Sequence, residues 1–375
     1  MSSGSRVTAI PLGGGAPGSS HTLSVWRFGT PGARPKVYVQ AALHADEVPG
    51  LLVARQLIEQ LEAHAAAGRI VGEIVVVPVA NPIGLSQRVL GTLLGRFDLV
   101  DGGNFNRGYA SLAAAAAEAM ASQLTDDPAA NTTLIHAALL RANAAMTPLT
   151  LAGHLKQALL GLALDADLVL DLHCENEGVV HLYTLTPLAD RCLPLSALLG
   201  AQALLLAAES GGHPFDEACS QPWLDLQGRF PGHPIPLACC AVTVELRGEA
   251  DVGRDLANAD TAALVGGMIL AGAIDAPPPA ILPPRCRATR LEDVELLTAP
   301  QSGILLLHRA VGETVAPGGL VAEVIDPLTG GTAQLRPRYA GLLFARESVR
   351  YVTAGRSVAK IAGTEAGRTG DLLGA

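Results

Sequence analysis

The stretch QAALHADEVPG, residues 40–50, sets a histidine at 44 and a glutamate at 47 directly after a run of apolar and β-prone residues. An imidazole and a carboxylate three residues apart at the mouth of a strand can converge on one divalent ion, because the turn carries both side chains to one side. Taken alone, the pair also fits a histidine beside a carboxylate in the first turn of a helix, where the acid meets the positive dipole end. A catalytic ion wants a third ligand and an open position. LVLDLHCENEG offers His173 where a buried apolar run ends, with Asp171 on the same face as a candidate acceptor behind it. By itself His173 also fits a hydrogen-bonded structural histidine. The apolar run CCAVTVELRG carries Glu245, and a buried carboxylate is costly unless it has a partner or a task. Desolvation would lift its pKa toward the range of a proton shuttle, whereas the structural alternative is an ion pair with Arg247. Arg247 is otherwise expected to face substrate or a neighbouring acid. In DGGNFNRGY, the amide of Asn106 and the planar fork of Arg107 suit a carboxylate, or else are solvated turn residues.

For these residues to meet, their segments must be neighbouring strand ends. KVYVQAAL reads as a buried strand and PGLLVARQLIEQLEA as a helix, with apolar residues at 51, 54, 57, 58 and 61. GEIVVVPVANP is the next strand, stopped by Asn-Pro. Strand, helix, strand implies a parallel crossover, and in an open α/β sheet a site lies outside the carboxyl edge. Residues 111–163 are alanine-rich and read as an inserted helical segment, a candidate pocket wall. DADLVLDLH, GVVHLYTLT and LACCAVTVELRG read as strands, with RCLPLSALLGAQALLLAAE and 258–274 as helices. Residues 1–276 thus form a three-layer α/β domain. Proline-rich DAPPPAILPPR marks a linker over 277–287, and a β-patterned tail over 288–364 is weakly duplicated. Gly303 matches Gly341, and Val315 to Gly318 match Val352 to Gly355. The two halves resemble the biotinyl/lipoyl hammerhead, whose carrier form presents a lysine on the hairpin between halves. That hairpin here, DPLTGGTAQ, has no lysine, so a swinging-arm carrier is not expected.

With 49% hydrophobic and 16% charged residues, the composition is that of a globular protein. A net charge of −9 without a basic cluster argues against nucleic acid or an anionic membrane as partner. Six cysteines without a C-x-x-C pair suit neither a disulfide framework nor a zinc ribbon, which points to a reducing, cytoplasmic home. The N-terminus shows no apolar signal region, and the apolar stretches fall short of the ~20 residues a membrane span needs.

H-x-x-E after the first core strand, A-N-P after the next, N-x-N-R, D-L-H, V-x-V-E-L and a small β tail form an ordered set along the chain. That set resembles the succinylglutamate desuccinylase/aspartoacylase family of the zinc carboxypeptidase superfamily. The resemblance implies a zinc-carboxypeptidase-like domain with a mixed sheet, and one zinc per chain held by His44, Glu47 and His173. It implies that Glu245 activates water and that Asn106 and Arg107 hold a substrate carboxylate. A carbonyl-polarising arginine should follow Asn81-Pro82; Arg88 stands nearest and Arg96 competes with it. Ala45 stands where the family usually has glycine, and Gly108-Tyr109 where it often has an aromatic residue and proline. The expected activity is hydrolysis of a small N-acyl amino acid or related carboxylate-bearing amide. The alternatives are a metallocarboxypeptidase for short peptides and a non-catalytic binding protein. Self-association is left open, and the tail is either a lid over the site or a satellite that covers apolar surface.

Overall fold

The structure is a computed structural model that describes residues 5–365, 367–370 and 372. One mixed sheet is built from nine strands: β1 Arg6–Leu12, β2 His21–Phe28, β3 Lys36–Ala41, β4 Glu73–Val77, β5 Leu168–Glu175, β6 Val180–Leu185, β7 Ala203–Ala207, β8 Cys240–Gly248 and β9 Ala288–Arg290. Their spatial order is β1-β2-β4-β3-β5-β8-β6-β7-β9. The central run β4-β3-β5-β8 is parallel, and β6 meets β8 antiparallel. These strands are apolar on both faces because both are covered. In β3, Val37, Val39 and Ala41 enter one core and Tyr38 the other, as the two-residue strand period requires.

Seven helices supply the outer layers: α1 Pro49–Ala66, α2 Ala113–Met120, α3 Pro128–Ala144, α4 Leu151–Ala163, α5 Ala189–Leu199, α6 Phe215–Arg229 and α7 Arg254–Leu270. Helices α1, α5 and α7 cover one face, while α2, α3, α4 and α6 cover the other. In α1, Pro49 sits at the start, where its missing N–H costs nothing, and Val53, Leu57, Ile58 and Leu61 turn one stripe inward. The run expected as one helix over RCLPLSALLGAQALLLAAE divides. Gly200 takes a left-handed backbone at φ 64° and ends α5, so Ala203–Ala207 is free to become β7. The 111–163 segment is a structural layer, with Ala116, Met120, Leu139 and Leu159 buried against the sheet.

The tail begins later than the sequence suggested. Residues 288–290 pair with β7 as the last strand of the large sheet. Beyond them come β10 Val294–Thr298, β11 Gly303–Leu307, β12 Thr314–Val315, β13 Ala322–Ile325, β14 Thr332–Leu335, β15 Gly341–Arg346, β16 Tyr351–Val352 and β17 Ser357–Ala362. They form two small antiparallel sheets that enclose a core of their own. The duplication has a structural counterpart. β11 pairs with β13 and β16, while β15 pairs with β17 and β12, so each half lends its short strand to the other. Gly303 and Gly341 open β11 and β15. A Cβ there would lie 2.3 Å from the Ile325 carbonyl oxygen and 2.5 Å from that of Ala362, respectively, so both positions exclude a side chain for one reason.

The tail is bound to the large sheet. The short strand Glu177–Gly178 pairs with β15, and Phe344 packs with Val179, Tyr183 and Leu205 in a core shared by the two parts. Phe344 is fully buried. Phe344→Ala is expected to cost about 3–5 kcal/mol, read as a lowered urea midpoint. A midpoint unchanged from the parent would show that the shared core does not hold the two parts together.

Candidate active site

Three strand ends meet at the carboxyl edge of the parallel run. β3 ends at Ala41, Ala42 turns the chain with φ 58°, and His44 and Glu47 follow before α1 begins. The loop is held from outside. Asn81 donates from Nδ2 to the Leu43 carbonyl at 2.9 Å while its Oδ1 accepts from Gly84 N–H at 2.8 Å, which gives the A-N-P motif its role. Gly95 lies so close that a Cβ would stand 2.3 Å from the Asp46 nitrogen, so only glycine fits there. In β5, Asp171 and His173 point to one face, and His173 pairs in register with Glu245 of β8. Glu245 is therefore set beside the histidine by strand register alone.

His44 Nδ1 lies 2.8 Å from Glu47 Oε1, and His173 Nδ1 lies 2.7 Å from Glu47 Oε2. All three side chains are buried. The far nitrogens face acceptors: His44 Nε2 lies 2.9 Å from Asn104 Oδ1, and His173 Nε2 lies 3.0 Å from Asp171 Oδ2, an ion-pair distance without hydrogen-bond geometry. Gln40 fixes Asp171 from behind with an Nε2 donor at 2.9 Å, and Tyr38 donates to Gln40 at 2.9 Å. The acceptor on His44 Nε2 favours the tautomer that leaves its Nδ1 lone pair aimed at the Glu47 carboxylate. Acceptors facing each other at such distances need a cation between them, a proton or a metal. Histidines backed by a carboxylate or an amide oxygen are the usual environment of metal-binding imidazoles. One ligand atom from each of His44, Glu47 and His173 lies within 4.8 Å of the others, so the group could hold a metal ion.

Electrostatics agree with the geometry. Burial would raise Glu47, but the charges of His173 and His44 outweigh it and hold its carboxyl well below the usual range. Burial would lower His173, but Asp171 and Glu47 outweigh it and hold the imidazole well above its usual range. His44 is lowered, chiefly by burial. Arg96 adds a third contact to Glu47, from Nη2 to Oε1 at 2.7 Å.

A cavity of about 520 Å³ opens over this group. Glu245, Asn106, Arg107 and Arg96 line it. Glu245 is half-buried, its Oε2 has no hydrogen-bond partner among the described residues, and its carboxyl is pushed up to about 7 by burial and by the charge of Glu175. The amide of Asn106 is shared between tasks, because its Oδ1 accepts from the first N–H of α6 at 2.9 Å while its Nδ2 faces His173 Nε2 at 3.5 Å. The Arg107 carbonyl accepts from Lys156 Nζ at 2.6 Å, which is how the helical insertion supports the site. No insertion residue lines the cavity, so the pocket-wall expectation is replaced by this support from outside. The far wall comes from the tail, through Phe344, Arg346, Arg356 and Lys360.

Two expectations are corrected. Arg88 stands exposed on the two-stranded hairpin Arg88–Val89/Thr92–Leu93, where among the described residues its side chain reaches the Gly91 carbonyl alone, and it does not line the cavity. Arg96, the competing candidate, lines the cavity and contacts Glu47, because the hairpin takes up the residues between Asn81 and the site. Arg247 takes a left-handed backbone at φ 67° and forks onto Asp260 of α7, also outside the cavity. Of the three destinations read for it, Glu245, substrate or a neighbouring acid, the neighbouring acid is the one found. Asn104, Gln40 and Tyr38 were not singled out from the sequence, although N-x-N-R contains Asn104, and only the fold shows what each supports.

Residues 33–145 match the family model described as the succinylglutamate desuccinylase/aspartoacylase catalytic domain. The match includes His44, Glu47, Arg96, Asn106 and Arg107, whereas His173 and Glu245 lie beyond it. No curated protein sequence matches the chain. Among solved structures, a succinylglutamate desuccinylase/aspartoacylase family protein from Shewanella amazonensis is 25% identical, with 95% of this chain and 98% of that one covered at a TM-score of 0.82. A succinylglutamate desuccinylase/aspartoacylase from Shewanella frigidimarina is 24% identical over 97% and 98% of the two chains, at a TM-score of 0.83. The product-bound ectoine utilization protein of Ruegeria pomeroyi shares the fold at 18% identity and a TM-score of 0.66, with 96% of each chain covered. The likeness thus extends through the tail and is not confined to the catalytic sheet.

Proposed function

We propose, from the premise that the chain carries the succinylglutamate desuccinylase/aspartoacylase catalytic domain, that it is a zinc-dependent hydrolase of a small N-acyl amino acid or related carboxylate-bearing amide. The observation that carries this reading is the convergence of His44, Glu47 and His173, backed by Asn104 and Asp171, beneath a cavity that also exposes Glu245. When bound, one zinc per chain supplies Lewis acidity, which polarises a carbonyl and brings the pKa of water to about 7. Glu245 takes the proton of the attacking water and delivers it to the leaving amine. Arg107 offers a fork for the substrate carboxylate, with Asn106 beside it, and Arg96 faces the developing negative charge on the carbonyl oxygen.

The tail, which we read as hammerhead-like, acts as a gate in this proposal, since Arg346, Arg356 and Lys360 narrow the cavity to a small molecule. Domain limits of 1–276 and 277–287 with a tail to 364 remain our working division, with 288–290 belonging to the sheet. We place the protein in the cytoplasm: the six cysteines are all free. No helix among the described residues is long and apolar enough to cross a membrane.

A panel of N-acyl amino acids against dipeptides, run on protein purified without chelator and assayed for metal, tests the proposal. Turnover of acyl amino acids with about one zinc per chain is expected. Preference for dipeptides would instead favour a carboxypeptidase, and absence of both metal and turnover a binding protein.

A further inference from the structure

Glu245 has a neighbour that the hydrolase reading leaves unused. Strand pairing sets His181 of β6 opposite Glu245 of β8, on the side away from β5. His181 is fully buried, and its Nδ1 lies 2.8 Å from the Val179 carbonyl oxygen. A carbonyl only accepts, so Nδ1 carries a hydrogen, and in a neutral ring Nε2 is then a bare acceptor. Nε2 has no hydrogen-bond partner among the described residues, and Glu175 Oε1 stands 3.8 Å away, beyond hydrogen-bond reach. Glu245 Oε2 also lacks a partner. One ligand atom each of His181, Glu175 and Glu245 lies within 4.8 Å of the other two. Two enclosed acceptors without donors are costly, and one proton shared from Glu245 to Nε2 satisfies both.

We propose, resting on the hydrolase reading, that His181 is a positioning residue whose Nε2 accepts a hydrogen bond from the protonated carboxyl of Glu245 and so holds the catalytic proton in place between its two transfers. In the first, a water O–H bond breaks as the Glu245 O–H bond forms, and the water oxygen bonds to the acyl carbon with the electron pair left behind while the carbonyl π pair moves onto its oxygen. In the second, the pair on that oxygen returns to re-form the carbonyl as the C–N bond breaks with its pair on nitrogen, which takes the proton from Glu245. His181 gains and loses nothing in either step. It keeps the carboxyl in one rotamer when ionisation no longer does so.

The tail completes this arrangement. Phe344 packs edge-on against the His181 ring at a centroid distance of 4.9 Å, with Tyr183 at 5.3 Å, which fixes the ring plane. Lys360 of β17 pairs with Glu175, which satisfies that carboxylate and leaves Nε2 to Glu245. The same three side chains resemble a second metal site. The Lys360 ammonium on Glu175 already supplies the positive charge there, which favours the hydrogen-bonding role.

Long-range nitrogen–proton correlation on labelled, metal-loaded protein reads the tautomer without any substrate. The His181 signals, identified by their loss in His181→Gln, should show a protonated Nδ1 and an Nε2 resonance that moves in Glu245→Ala. A doubly protonated ring, the opposite tautomer, or an Nε2 resonance indifferent to Glu245 overturns the proposal while the hydrolase reading stands. Kinetics on the N-acyl amino acid selected by the panel give the second arm. His181→Phe should lower kcat about 10–100-fold with KM unchanged, and His181→Gln, which keeps an acceptor, should recover part of the loss. In a Glu245→Gln background, His181→Phe should change kcat less than about twofold, because it acts through Glu245. An equal loss in both backgrounds overturns the proposal. A Glu245→Gln protein as fast as the parent rules Glu245 out as the proton carrier and overturns this proposal, whereas absence of both metal and turnover in the parent overturns the hydrolase reading.

Discussion

Glu245→Gln is expected to lower kcat about 10²–10⁴-fold, the usual contribution of a positioned general acid or base, while leaving zinc in place. The variant keeps the shape and one acceptor oxygen but cannot take a proton, and Glu245 is not among the three convergent ligands. Steady-state rates and metal analysis of one preparation check both halves. A variant that keeps its metal and its rate would rule Glu245 out as the proton carrier. The same substitution has a consequence for stability. The folded-state pKa of Glu245 is raised to about 7, first by burial and then by Glu175. Below the unfolded value of about 4.3 the residue is neutral in both states and costs nothing. As pH rises from there through 7, the unfolded chain ionises first and the folded state loses stability relative to it. Glutamine is neutral throughout. The metal-free variant should therefore match the parent near pH 4 and exceed it at pH 8, by about 4 kcal/mol at most. Equal urea midpoints at pH 8 would mean that Glu245 is better solvated than its enclosed Oε2 implies.

The second large effect is expected of His173→Ala. It should leave the protein without stoichiometric zinc and lower the rate about a thousandfold or more, since several kcal/mol of transition-state stabilisation depend on the ion and each 1.36 kcal/mol is tenfold. It should also destabilise the metal-free fold. His173 faces the carboxylates of both Glu47 and Asp171, and Asp171 is fully buried. Removing the cation between two buried acids costs about 3–5 kcal/mol when nothing replaces it. His44→Ala should lose the metal equally but destabilise less, because its outer partner is the neutral amide of Asn104 and Arg96 remains on Glu47. Metal content and denaturation midpoints of the two variants separate the roles. Full zinc occupancy in both would contradict the ligand assignment.

Much of the architecture was legible because it follows from local physics. Both-face apolar runs bounded by proline and asparagine marked β3, β4, β5 and β8, and the spacing of Val53, Leu57 and Leu61 marked α1. β1 and β2 were not read, because few of their residues are buried, and α6 was not read because its sequence, FDEACSQPWLDLQGR, has a proline inside and a weak apolar stripe. The division at Gly200 was missed because a buried strand and a buried helix look alike over five apolar residues.

The candidate site shows the same partition more sharply. Sequence by itself determined which side chains could do chemistry: His44 and Glu47 by their spacing, His173 and Asp171 by the two-residue period of a strand, and Glu245 by the cost of a carboxylate in an apolar run. Each of those signals is local, within a turn or a strand. Tertiary structure alone decided which arginine faces Glu47, because a hairpin between residues 88 and 93 carries Arg88 outward and returns Arg96 to the cavity. It also sent Arg247 to Asp260 through a left-handed turn of the backbone, which no neighbouring residue announces. It alone set His181 beside Glu245 and brought Phe344 and Lys360 across from the tail. Those partnerships depend on strand order and register between segments up to 185 residues apart, which no local pattern encodes.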